Sequence, residues 1–165
     1  MLPSHPRVGY PAHLLWTASH PVTTSDESVS PPFHCDESGF VRGFAHHDGY
    51  LEGVLTDDVA KEAHLAIRST SGERRVLTLR GVTALDVSGF REGNIIQNLR
   101  MWSAAKAAGD PEVRRSLDER LYLDATKLPP NASVFILESS FGANLIAVCA
   151  ELFVSEVGTT LGPRS

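Results

Sequence analysis

Ala63-His64-Leu65-Ala66-Ile67-Arg68, followed by Ser69-Thr70-Ser71-Gly72 and then Val76-Leu77-Thr78-Leu79, is the stretch on which the architecture turns. Ala63, Leu65 and Ile67 alternate with His64, Ala66 and Arg68, the period of two expected of a strand that buries one side. The Ser/Thr/Gly cluster supplies a turn, and the return run, with Val82 beyond it, completes a hairpin. Upstream, Phe40, Val41, Phe44 and Tyr50-Leu51-Glu52-Gly53-Val54-Leu55 predict one or two strands around His46-His47-Asp48-Gly49. There Asp-Gly reads as the turn, because Gly accepts a positive φ without steric cost. Downstream, Gly81 breaks the run before a short strand, Ala84-Leu85-Asp86-Val87, and Phe90-Arg91-Glu92-Gly93-Asn94 reads as a bend. Ile95 to Trp102 resumes as strand, with helix only from Ser103, where the alanines favour it.

The clearest helix follows. Asp110 suits an N-cap and Pro111 the first helical position, where its missing N–H is no loss. Val113, Leu117 and Leu121 form one apolar stripe, and Arg114, Arg115, Asp118, Glu119 and Arg120 read as the solvated face. Pro129-Pro130 ends anything helical. Val134 to Leu137, a Ser139-Ser140-Phe141-Gly142 turn and Leu145 to Val157 predict a last hairpin. Its second strand is apolar on both faces, which predicts a central strand covered on two sides. These elements specify an α+β fold: a mainly antiparallel β-sheet with one or two amphipathic helices packed on it. The alternative arrangement is a β-sandwich with helical decoration.

Residues 39–158 are expected to make a single α+β domain. Residues 1–38 hold six of the ten prolines and many serines and threonines, and read as a poorly structured arm; 159–165 reads as a flexible tail. Tyr10, Leu14 and Trp16 are the arm's candidate anchors, either on the domain or on a partner. The net charge of −5 argues against a nucleic-acid partner, since a phosphate backbone calls for a basic field. The longest apolar run, Leu145 to Val154, is interrupted by Glu151 and falls short of the roughly 18 residues that cross a bilayer. No membrane partner is expected. The N-terminal stretch lacks a signal peptide's form, and Cys35 and Cys149 set no disulfide framework, so a cytoplasmic protein with reduced thiols is expected.

His46-His47-Asp48 is the most chemically suggestive triplet, because imidazole and carboxylate ligate zinc or iron. Neighbours on a strand face opposite ways, so His46 and Asp48 are the candidate pair, with His64 as a further ligand and His34, Cys35 or Asp36 as others. A metal-dependent hydrolase would use these groups; the bland alternative is an exposed turn in which Asp48 caps its own backbone. His34-Cys35-Asp36 has sequential rather than spatial neighbours and makes a poor nucleophile–base arrangement. Ser139-Ser140-Phe141-Gly142 has Glu138 where a nucleophile elbow needs its first glycine. Gly89 to Asn94 lacks the spacing of a phosphate cradle and reads as structural, with Phe90 tucked under the sheet and Gly93-Asn94 at positive φ. Arg91 and Glu92 form an exposed charged pair of the kind a partner reads. No catalytic residue and no cofactor are assigned.

His47-Asp48-Gly49-Tyr50-Leu51-x-Gly53-Val54, then Leu79-x-Gly81-Val82-x-x-Leu85-x-Val87-x-x-Phe90-x-x-Gly93-Asn94-Ile95-Ile96, resembles a β-rich family of small bacterial proteins of immunity-protein-like or uncharacterised type. The resemblance covers about residues 46–96. It implies a non-enzymatic, protein-binding role such as neutralising a toxin, and it supplies no catalytic residues. The favoured expectation is therefore a protein-binding module whose partner is another protein, contacted through Arg91, Glu92, Trp16 and Tyr10. A metal-dependent hydrolase using His46, Asp48 and His64, and a subunit of a larger assembly whose arm covers a neighbour's sheet edge, are the alternatives. The oligomeric state is left open.

Overall fold

The structure, a computed structural model, describes residues 33–157. Along the chain run β1 (His34–Cys35), β2 (Val41–Arg42), β3 (Tyr50–Asp57), β4 (Glu62–Arg68), β5 (Arg74–Arg80), β6 (Ala84–Ser88) and β7 (Asn94–Ser103). Helices α1 (Ala104–Gly109) and α2 (Pro111–Leu121) and a short 3-10 turn (Ala125–Lys127) follow, then β8 (Ser133–Phe141), β9 (Asn144–Cys149) and β10 (Glu151–Glu156). The α+β class holds: strands β3 to β10 form one antiparallel sheet in the order β10-β5-β4-β3-β7-β8-β9-β6, and the helices pack on it.

The two ends of that order are joined by the chain itself. Strand β10 follows β9 with only Ala150 between, and β6 follows β5 after Gly81, Val82 and Thr83. Because β5 pairs with β10 and β6 with β9, the two continuous segments form one long, bent antiparallel ribbon. The sheet thereby closes into a barrel of six staves, β5–β6, β4, β3, β7, β8 and β9–β10. A single curled sheet bounds the interior, so the sandwich alternative does not hold. The bend sits at Gly81, whose φ of +63° strains any other residue and whose missing Cβ makes room for the Ala150 methyl. Ala150 N–H donates to Arg80 O at 2.8 Å, holding the corner. Strands β3 and β7 share only two paired positions, and the segment before β3 finishes this seam: Ile96 N–H donates to Gly49 O at 2.8 Å and Met101 N–H to Gly39 O at 2.7 Å.

Alternation then sorts the side chains. Leu65, Ile67, Leu79, Leu99, Phe135 and Leu145 point into the barrel and fill it, as expected of a small barrel. Each such fully buried side chain stabilises the fold by about 1.5–3 kcal/mol. On the outside, Val134, Ile136, Ile146 and Val148 meet Val113 and Leu117 of α2 beside Trp102. Strand β9 is thus covered on both faces and central between β8 and β6, as its doubly apolar pattern requires. Helix α1 starts where the alanines begin, with Ser103 as N-cap; Asp110 caps α2 by accepting from the amides of Glu112 and Val113.

Several local expectations are corrected. Leu145 to Val157 is two strands, because the chain changes pairing partner at Ala150. Strand β8 extends through the expected Ser139–Gly142 turn as far as Phe141, because Gly142 and Ala143 alone make the reversal. At the Asp48-Gly49 turn it is Asp48 that takes positive φ, 59°. Gly49 is needed for space: a Cβ there would stand 2.7 Å from Arg68 O. Arg120 is not on a solvated face. Its guanidinium donates to Asp86 Oδ2 at 2.6 and 2.9 Å and to Asn144 O at 3.0 Å, clamping α2 to β6 and β9. The end expected for the arm at residue 38 falls inside the β1–β2 hairpin, whose turn Asp36 closes by accepting from the amides of Ser38 and Phe40.

Candidate functional site

Asn94, at the start of β7, organises one end of the barrel. It is 2% exposed, and its three hydrogen bonds join three segments. Nδ2 donates to Leu51 O at 3.2 Å on β3, while Oδ1 accepts from Arg91 N at 2.9 Å and from Ala143 N at 3.0 Å. The β6–β7 loop and the β8–β9 turn are therefore fastened to the same side chain. Gly142 fits there because the Asn94 amide occupies the space a Cβ would need.

These fastened loops carry the most exposed aromatic surface at that end. Phe90 is 49% and Phe141 50% exposed, and the Arg91 guanidinium lies 5.2 Å from the centre of the Phe141 ring. Phe90 is thus not tucked under the sheet: the interior below it is already filled. Beside it a shallow cleft of about 300 Å³ is lined by Tyr50, Glu52, Arg68, Phe90 and Glu92. Arg68 lies 4.4 Å above the Tyr50 ring and donates to Glu52 at 2.6 Å. That bond, opposed by slight desolvation and helped by Arg74 at 3.2 Å, holds the Glu52 carboxyl below the usual carboxylate range. The rim combines aromatic faces with arginines, the side chains most enriched at energetic centres of protein interfaces. Arg91 and Glu92, singled out as a pair a partner reads, both lie on it; Tyr10 and Trp16 lie outside the described residues.

The candidate metal ligands are not assembled. His46 is buried, its ring packs on Phe44 at 5.0 Å, and its Nδ1–H donates to Phe44 O at 3.1 Å. Burial lowers its pKa, against that hydrogen bond, so the imidazole is held neutral. Asp48 points to solvent at the turn. His64 stands on the outer face of β4, with Nδ1 3.1 Å from Thr78 Oγ1 and Nε2 3.5 Å from Glu62. Among the described residues no three His, Cys, Asp or Glu side chains converge as metal ligands. Nor is a nucleophile prepared. Partial desolvation and the adjacent Asp36 raise the pKa of the exposed Cys35, and burial pushes Cys149 up to about 12, the reverse of what an attacking thiolate needs.

No family model matches the chain, and no curated protein matches it.

Two polar features were not read from the sequence. One is the Asn94 hub. The other is Arg100, 15% exposed on the outer face of β7, which pairs with Glu138 and lies over the rings of Trp102 and Phe40 at 4.8 and 5.7 Å. Asn98 Nδ2 donates to the same carboxylate at 3.2 Å. Alternation along β7 puts Asn98, Arg100 and Trp102 on one face, so the grouping was available as a pattern; the partner Glu138 was not.

Proposed function

We propose that this chain is a non-enzymatic protein-binding module of the toxin-neutralising, immunity-protein kind, and that it holds its partner through Phe90, Arg91, Glu92 and Phe141. The observation that carries the reading is the pair of half-exposed rings, one on the β6–β7 loop and one at the end of β8, beside backbone fastened by one buried amide. A rigid rim loses little conformational freedom on binding, so more of its contact energy appears as affinity. The net charge of −5 suits a basic partner, whose encounter an opposite field accelerates. The reading puts the module in the cytoplasm, with Cys35 and Cys149 as reduced thiols.

The test is a pull-down from the native host with the full chain and with a Phe90→Ala/Phe141→Ala variant. These rings are half exposed, so the variant should keep its thermal midpoint within a few degrees. A protein held by the parent chain and released at least tenfold by the variant, about 1.4 kcal/mol, is the expected result. A variant that retains the same protein undiminished, or a parent chain that holds none, refutes the proposal.

A further inference from the structure

The barrel has two unlike outer faces. One, over β8, β9 and β6, is covered by α1 and α2. The other, formed by β10, β5, β4 and β3, is covered by no described element, and its cross-strand registers set its side chains in rows. One row is small: Ser155, Val76, Ala66 and Gly53. The next is larger: Phe153, Thr78, His64 and Leu55, with Phe153 41% and Leu55 68% exposed. Neither row has a charged residue of its own, although the Arg80 guanidinium lies 4.3 Å from the centre of the Phe153 ring and the Glu62 carboxylate stands 3.5 Å from His64 Nε2. Charges begin only in the flanking rows, Arg74 and Arg68 with Tyr50 on one side, Glu151, Arg80, Glu62 and Asp57 on the other. The first flank is net positive even with Glu52 bound to both arginines, and the second is net negative.

We infer that this face docks a second copy of the chain, about a two-fold axis running across the strands between the two uncharged rows. Such an axis keeps each strand over its own counterpart and exchanges the rows. Leu55 then lies over the partner's Gly53, where a Cβ would meet nothing within 4 Å, and Phe153 lies over the partner's Ser155. Large side chains meet small ones on β10, β4 and β3, and on β5 Thr78 meets Val76 of nearly equal size. The same rotation brings Arg68 onto the partner's Glu62 and Tyr50 onto its Asp57, while on β5 Arg74 meets the partner's Arg80, so the flanks match in net sign and not at every strand. An axis parallel to the strands would keep each row over itself, setting Phe153 over the partner's Leu55, Glu151 over its Asp57 and Arg74 over its Arg68.

The area sets the strength. Four strands at about 4.8 Å and four rows at about 6.8 Å would give roughly 500 Å² per copy if flat, an upper bound because these strands are four of the barrel's six staves and curve away from one another. At most about 1,000 Å² in total lies at the low end for specific association, so the dimer is weak and reversible, in the micromolar range. This contact leaves the Phe90 and Phe141 rim free and does not depend on the partner proposed for it.

Sedimentation velocity on the full chain from about 1 to 300 μM tests the inference, with a Leu55→Glu variant and a Ser155→Arg variant; 300 μM exceeds a micromolar dissociation constant many times over. The expected result is a concentration-dependent monomer–dimer equilibrium that each substitution weakens at least tenfold. Both positions are exposed, so thermal midpoints measured at 1 μM should stay unchanged. A parent chain that is monomeric at 300 μM, whether the face is bare or covered by residues 1–32, overturns it. A dimer that both variants leave intact overturns it equally, because the contact then lies elsewhere.

Discussion

Replacing Asn94 by Ala removes the acceptor for two backbone amides and the donor to one carbonyl in a single step. Ala143 is fully buried, so its N–H is left without a partner that water can replace, at about 1–3 kcal/mol. Leu51 O keeps its place in the β3 ladder and loses one hydrogen bond, about 1 kcal/mol, and the part-buried Arg91 amide, open to water, adds about 0.5 kcal/mol. The sum is about 2.5–4.5 kcal/mol, a large fraction of the 5–15 kcal/mol typical of a domain. Urea unfolding followed by circular dichroism should show the midpoint falling by about 2 M at unchanged slope, for a slope near 1.5–2 kcal/mol/M. Asn98→Ala, which loses one part-buried bond to Glu138, serves as the control and should lose about 1 kcal/mol or less. A loss under about 1 kcal/mol for Asn94→Ala would show that the loops are not fastened by this side chain.

Gly49→Ala should destabilise by about 2–3 kcal/mol, because the new Cβ meets the carbonyl oxygens of Arg68 and His46 at 2.7 and 2.9 Å. Gly53→Ala, with open space at its Cβ, should raise stability by less than about 1 kcal/mol; equal losses in urea titrations would refute the contrast. His46 is held neutral with a lowered pKa, so the unfolded chain binds more protons just below the ordinary histidine value of 6.5. Its contribution is therefore complete above 6.5 and declines as pH falls towards the folded pKa. His46→Phe should flatten the decline in unfolding free energy between pH 7.5 and 5; an unchanged slope would show that another group sets it. Cys35 is exposed and Cys149 buried with a thiol pKa of about 12, so a thiol reagent at pH 8 should label Cys35 in the folded protein, slowed by its raised pKa, and Cys149 only on unfolding. Simultaneous labelling of both would contradict the filled barrel.

The strands were legible where alternation is local. Ala63, Leu65 and Ile67 announce β4, and Val113, Leu117 and Leu121 announce α2. Closure was not, because a period of two says which side is buried and nothing about which strand lies beside it. One signal was present at the corner. Leu145, Ala147 and Cys149 keep one parity, and Leu152 and Val154 keep the other, so the apolar phase slips at Ala150. A straight strand cannot tolerate that slip; a bend that hands the chain from β8 and β6 to β5 requires it.

The candidate site divides along the same line. Arg91 and Glu92 could be picked out because a charged pair between turn glycines is a local feature. In sequence Asn94 looks like one more turn residue, since its partners Leu51 and Ala143 lie 43 and 49 residues away. That distance bears on function as well as on folding. A loop serving only to connect β6 to β7 needs no anchor on two other segments, and a solvated tip needs no phenylalanine. Here the anchor and the exposed rings occur together: Phe90 and Phe141 sit beside residues tied to one buried amide, and Arg91 both donates to that amide and lies over Phe141. Fixing apolar rings in water lowers no free energy in the isolated chain. It becomes favourable when a second surface removes that water and finds the rings already in place.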